Sequence, residues 1–138
     1  MTGTGIDVAR AGRQTVMLAA EPRSVAAART WLAERSRPFV DDERLDELRL
    51  VISEVVSNAV RHGAADDEIL LAVTPKDGYL CVQCTDGGEG FAPRPRAHAP
   101  DENGGWGFFL IEHFTRRWGL TRENQDTRVW FEFDFAPG

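Results

Sequence analysis

Residues 48–63 read LRLVISEVVSNAVRHG, and this stretch decides the fold. Together with Leu45, the residues Leu48, Ile52, Val55, Val56 and Ala59 follow a 3-4 rhythm, which predicts an amphipathic helix. Asp41 or Asp42 can cap its start, and Gly63 is a natural stop. Glu54, Asn58 and His62 are spaced four apart, so they stack along one edge of that helix, with Arg61 beside them. Asn is a poor helix former and costly to bury unpaired, so its place at the border of an apolar stripe asks for a reason. An amide oxygen aimed into a cleft can ligate Mg²⁺, which prefers hard oxygen ligands. A carboxylate one turn earlier can polarise an attacking group. Taken alone, the same residues also read as solvated edge positions.

Upstream of this helix, Thr15 to Ala20 is a short apolar run that reads as a strand. Pro22 to Arg37 carries Val25, Ala28, Trp31 and Leu32 at helical spacing, with Pro22 suited to a first turn. Met1 to Gln14 lacks periodicity and reads as a mobile tail, leaving 15–138 as a single domain. Downstream, strands are predicted at Glu68 to Thr74 and Tyr79 to Thr85, joined by the turn Pro75-Lys76-Asp77-Gly78. A polar, Pro- and Gly-rich stretch from Asp86 to Gly105 follows, then a helical pattern from Trp106 to Trp118. Two last strands are predicted around Leu120 to Glu123 and Arg128 to Phe135. This order fits an α+β fold, a two-layer sandwich of one mixed, mostly antiparallel sheet covered by helices.

Composition narrows the function. At 138 residues, with 42% apolar and 28% charged residues, the chain suits one globular domain with a real core. No stretch approaches the ~20 apolar residues of a membrane span, and no secretory pattern opens the chain, so a cytoplasmic location is expected. A net charge of −6 argues against a nucleic-acid binder that relies on a basic surface. Cys81 and Cys84 form a CxxC string, but positions three apart in a strand face opposite ways and no second Cys pair could complete a zinc site. They read as two small strand residues.

Two further motifs carry chemistry. Asp86-Gly87-Gly88-Glu89-Gly90-Phe91 directly follows a strand. An Asp at a strand end can accept a hydrogen bond from an exocyclic amine such as that of adenine, and glycines let the backbone approach a ligand. Gly104-Gly105-Trp106-Gly107 opens a helix, whose free N–H groups suit phosphate. Each is also an ordinary Gly-rich loop or helix start when read by itself. The common nucleotide folds are excluded: there is no GxxxxGK[ST], no GxGxxG between strand and helix, and no protein-kinase signature set.

Taken in order, LRLVISEVVSNAVRHG, CTDGGEGF, GGWGFFLIEHFTRRWG and TRVWFEF resemble the Asn box, the two glycine boxes and the last strand of the GHKL (Bergerat-fold) ATPase superfamily. Within it the chain looks most like the bacterial anti-sigma factor serine/threonine kinases, over about Glu21 to Phe135. The resemblance implies ATP and Mg²⁺ as cofactors, with Glu54 as general base and Asn58 as metal ligand. It implies that Asp86 reads the adenine amine, that Gly88, Gly90, Gly105 and Gly107 shape the pocket, and that Thr127 lies near the adenine. The segment Ala92 to Asn103, with Arg94 and Arg96, is implied as a lid over the phosphates. Trp106 departs from the Arg, Leu or Met expected there. No phospho-accepting His helix is present, so a histidine-kinase role would need a separate partner; the resemblance implies a sigma factor and an anti-sigma factor antagonist as partners, with room for a homodimer and no direct nucleic acid or membrane. A nucleotide-dependent binding module without phosphotransfer, and a domain with a degenerate pocket, are the alternatives.

Overall fold

The computed structural model describes residues 12–62, 67–86, 107–123 and 126–136. Among the described residues three helices, α1 (Arg23–Ser36), α2 (Asp42–His62) and α3 (Gly107–Phe114), accompany five strands. These are β1 (Gln14–Ala19), β2 (Glu68–Pro75), β3 (Tyr79–Asp86), β4 (Arg117–Glu123) and β5 (Asp126–Asp134).

The apolar rhythm of α2 does what its spacing requires. Leu45, Leu48, Val51, Ile52, Val55, Val56 and Ala59 are all buried, and they form the centre of a single hydrophobic cluster. Asp41 is the cap: its carboxylate accepts a hydrogen bond from the Arg44 backbone N–H at 2.9 Å. Asp42 and Glu43 add negative charge to the first turn, where the helix dipole favours it. Before α1, Pro22 supplies the preset backbone, and the Ser24 hydroxyl donates to the Ala19 carbonyl at 2.6 Å.

The sheet has the order β1-β2-β3-β5-β4. Strand period sorts its faces: along β3, Leu80, Val82, Cys84 and Asp86 are buried while Tyr79, Cys81, Gln83 and Thr85 are half-buried. The buried set faces the helices and joins Ile69, Leu71, Val73, Phe131 and Phe133 in the core. The opposite face carries polar contacts. Arg117 forks onto Glu132 through two 3.0 Å hydrogen bonds, which hold that carboxyl below its ordinary range. On the same face Trp130 lies flat against Gly119, where an added Cβ would come within 2.6 Å of the indole.

Four expectations change. All four ladders are antiparallel, so the parallel component of a mixed sheet does not occur among the described residues. The helix pair α1–α2 turns the chain twice between β1 and β2 and therefore returns it antiparallel. The strands β3 and β4 do run the same way, joined through α3, but β5 inserts between them. The helix expected to reach Trp118 stops at Phe114. There the Thr115 hydroxyl and N–H both donate to the Ile111 carbonyl, at 2.6 and 3.0 Å, and the Arg116 N–H turns to the Glu132 carbonyl at 2.9 Å. So β4 begins at Arg117 instead of Leu120, and β5 runs Asp126–Asp134 instead of Arg128 to Phe135. Gln14, read as the end of the tail, begins β1; residues 1–11 of that tail lie outside the described residues.

Arg44 ties the two layers together. Only 5% exposed, it donates through Nε and Nη2 to the Asp134 carbonyl at 3.1 and 2.7 Å. Its guanidinium also lies 3.8 Å from the centre of the Phe133 ring. Arg44→Leu keeps the stem but removes the charge-assisted bonds and orphans the carbonyl, and should destabilise the fold by about 2–3 kcal/mol. The check is the urea midpoint at unchanged m-value; a loss below about 0.5 kcal/mol would show the anchor to be dispensable.

Candidate functional site

The last two turns of α2 cross above the ends of β3 and β5, and a cleft opens between them. Val55, Asn58 and Ala59 contribute from the helix at i, i+3 and i+4 spacing. Cys84 and Asp86 of β3 lie opposite Val129 and Thr127 of β5 in the ladder, so all four point to the helix side. Ile111 of α3 completes the wall. The cleft is open to solvent, and the empty space within it, its solvent-side opening included, is about 330 Å³.

Its lining is apolar except at three places. Asn58 is half-buried at the helix edge. Asp86 is 4% exposed and Thr127 is 2% exposed. Among the described residues the Thr127 Oγ1 has no hydrogen-bond partner. A buried hydroxyl left in that state costs on the order of 1–3 kcal/mol, which a ligand that meets it would recover. The Cys84 thiol between these groups is pushed up to about 12, first by burial and then by the Asp86 charge, so it stays neutral and serves as wall. Cys81 stands on the other sheet face and both thiols are free, so the CxxC string is neither a disulfide nor a ligand pair.

Asn58, Asp86 and Thr127, singled out from sequence, thus share one cleft. Glu54 stands one turn before Asn58 and is half-buried, but it is not part of the lining. Gly107 is the first residue of α3. Gly88, Gly90, Gly105, Trp106 and the segment Ala92 to Asn103 lie outside the described residues. Arg61, noted in the sequence only as a neighbour, donates from Nη2 to the Asn58 Oδ1. Val55, Ala59, Cys84, Ile111 and Val129 were missed as lining residues. The signal was available: the first two flank Asn58 at i−3 and i+1, and Cys84 shares a strand face with Asp86 two residues on.

The donor set bears on cofactors. Among the described residues there is no group of three or more His, Cys, Asp and Glu able to hold a metal. Asn58 offers one amide oxygen, which suits Mg²⁺ that brings waters and phosphates as its other ligands. The buried Asp86 acceptor and the partnerless Thr127 hydroxyl suit the polar edge of a flat heterocycle entering an apolar slot. Among the described residues no helix is long and apolar enough to cross a membrane.

Comparison with known proteins agrees with this geometry. Residues 18–133 match the family described as histidine kinase-like ATPase domain. The chain is 32% identical over 110 residues to the anti-sigma F factor of Geobacillus thermodenitrificans (strain NG80-2), covering 72% of this chain and 74% of that protein. It is 32% identical over 106 residues to the anti-sigma F factor of Geobacillus sp. (strain WCH70), covering 69% and 71%. Among solved structures, the RsbU and RsbW domains of Rv1364c from Mycobacterium tuberculosis superpose with a TM-score of 0.69 at 20% identity. That match covers 91% of this chain and 33% of the other. The catalytic domain of the histidine kinase ThkA gives a TM-score of 0.59 at 12% identity, covering 90% of this chain and 99% of that one. The chain belongs to the histidine kinase-like ATPase family, and within it to the GHKL anti-sigma factor kinase-like group.

The cleft wall can be checked chemically. Iodoacetamide at pH 8 should leave Cys84 unmodified in the folded protein and label it only on unfolding, because thiolate is the reactive form. Peptide mass spectrometry reads the two cysteines separately; rapid labelling of folded Cys84 would contradict its placement.

Proposed function

We propose that this chain is an ATP-dependent anti-sigma factor of the cytoplasm, which phosphorylates a Ser or Thr of a small antagonist protein and sequesters a sigma factor. The supporting observation is the convergence of Asn58, Asp86 and the partnerless Thr127 hydroxyl on one cleft, in a chain 32% identical to an anti-sigma F factor. In this reading the Asp86 carboxylate accepts from the exocyclic amine of adenine, and Thr127 donates to a ring nitrogen beside it. Gly88, Gly90, Gly105 and Gly107 are assigned to shaping the nucleotide pocket, where glycine lacks a Cβ that would hinder a ligand. Mg²⁺, when bound at the Asn58 oxygen, offsets the negative charge of the phosphates. Glu54 takes the proton from the antagonist's hydroxyl as that oxygen bonds to the γ-phosphorus and ADP leaves with the bridging oxygen.

One observation favours a second reading. Glu54 stands outside the cleft lining, which suits a module that changes partners with nucleotide and transfers no phosphate. One substitution tests the nucleotide binding that both readings share, and another tests the phosphotransfer that separates them. Asp86→Asn should weaken Mg-ATP binding by about 1–3 kcal/mol in calorimetry, through loss of a charge-assisted hydrogen bond. Glu54→Ala should leave that affinity nearly intact while lowering transfer from labelled ATP to an antagonist protein by about 10²–10⁴-fold. Full transfer by Glu54→Ala would remove Glu54 as the base. ATP binding without transfer by the wild-type chain, across candidate antagonists, would favour the binding module.

A further inference from the structure

The Asn58 oxygen that the nucleotide reading gives to the metal already carries a cation. Arg61, one turn further along α2, donates from Nη2 to Asn58 Oδ1, and it does so from an exposed position while Asn58 lines the cleft. No other hydrogen bond of the Arg61 guanidinium competes with this one among the described residues. We propose that Arg61 is a positioning residue that holds the Asn58 oxygen in the metal-free state and gives it up when Mg²⁺ enters, and so sets how far nucleotide binding depends on the metal. The inference rests on the nucleotide reading of the cleft and adds the control of its metal dependence.

The physical argument has two parts that point the same way. An amide oxygen has two lone pairs, but a guanidinium donor and a divalent ion on the same oxygen place like charges a few ångströms apart. Because Mg²⁺ demands near-ideal geometry at about 2.0–2.1 Å, a retained Arg61 contact works against its binding. Conversely, without metal, the same guanidinium stands at the oxygen that faces the phosphates and supplies positive charge there. Arg61 therefore supports metal-free nucleotide and opposes the metal-bound form. Removing it should widen the difference between the two.

The test is calorimetric titration of the whole chain with ATP in EDTA and in millimolar Mg²⁺, for wild type, Arg61→Gln and Arg61→Lys. The quantity read is the ratio of the two dissociation constants, which a general loss of folding or of pocket shape would not raise. Arg61→Gln should increase the ratio about three- to tenfold, the size expected from one hydrogen bond, by weakening the EDTA arm, strengthening the Mg²⁺ arm, or both. Arg61→Lys, which keeps a cationic donor without the planar fork, should fall between wild type and Arg61→Gln. Arg61 is exposed, so neither change touches the core. A ratio for Arg61→Gln within twofold of wild type, with ATP still bound, would overturn this inference and leave the nucleotide reading standing. Absence of ATP binding by the wild type in both buffers would overturn the nucleotide reading and this inference with it.

Discussion

The pairing of β3 with β5 places Asp86 opposite Thr127 and Cys84 opposite Val129, and the rest of the site depends on that register. In a strand the side chains alternate faces, so a slip of one residue would turn outward the two cleft residues of whichever strand moved. Asp86 or Thr127 would then move to the polar face of Gln83 and Glu132, and the cleft under α2 would lose that half of its polar floor. The register is held by the apolar pairs further along the same ladder, Val82 with Phe131 and Leu80 with Phe133, all buried against the helices. Burial of these four side chains makes a slip costly, since those of the strand that moved would have to exchange a packed environment for an open one. Core packing at one end of the ladder thereby positions the chemistry at the other.

The site is also where local stability is given up. Elsewhere Arg44 reaches two acceptors and an aromatic face and Glu132 is forked by Arg117, while the Ser36 hydroxyl and Arg35 Nε are buried without a partner among the described residues. At the cleft, a hydroxyl that is 2% exposed has no partner among the described residues, beside a carboxylate buried to a similar degree. Natural proteins retain such uncompensated groups where a ligand supplies the missing partner. What sets Thr127 apart from the partnerless Ser36 and Arg35 atoms is its place: it alone of the three lines the open cleft, where a ligand can reach it.

How much of this was legible in the sequence follows from the range of the forces involved. The long helix was readable because its apolar rhythm and its capping Asp41 are local and agree with each other. Strands β2 and β3 were readable within a residue because alternation and the Pro-Lys-Asp-Gly turn reinforce one another. The end of α3 was not, because Phe108 to Trp118 is apolar enough to satisfy a helical and a strand period alike. Its boundary is set by Thr115 bonding back to Ile111 and by Arg116 joining the Glu132 carbonyl, a contact across the sheet. Asn58 and Asp86 could be singled out by residue type and motif. That Thr127 is buried and partnerless beside Asp86 depends on strand pairing, which no local pattern encodes. The grip of Arg61 on Asn58 likewise depends on the side-chain rotamers of the two residues, which the helical spacing allows but does not fix.

The central claim, that a nucleotide occupies the cleft between α2 and the β3–β5 ladder, is tested most directly by amide chemical-shift mapping during titration with Mg-ATP. The account predicts large shifts at Asn58, Asp86 and Thr127, with Cys81, Gln83 and Glu132 on the opposite sheet face unmoved. Shifts confined to the opposite face, or none at millimolar nucleotide, would contradict it.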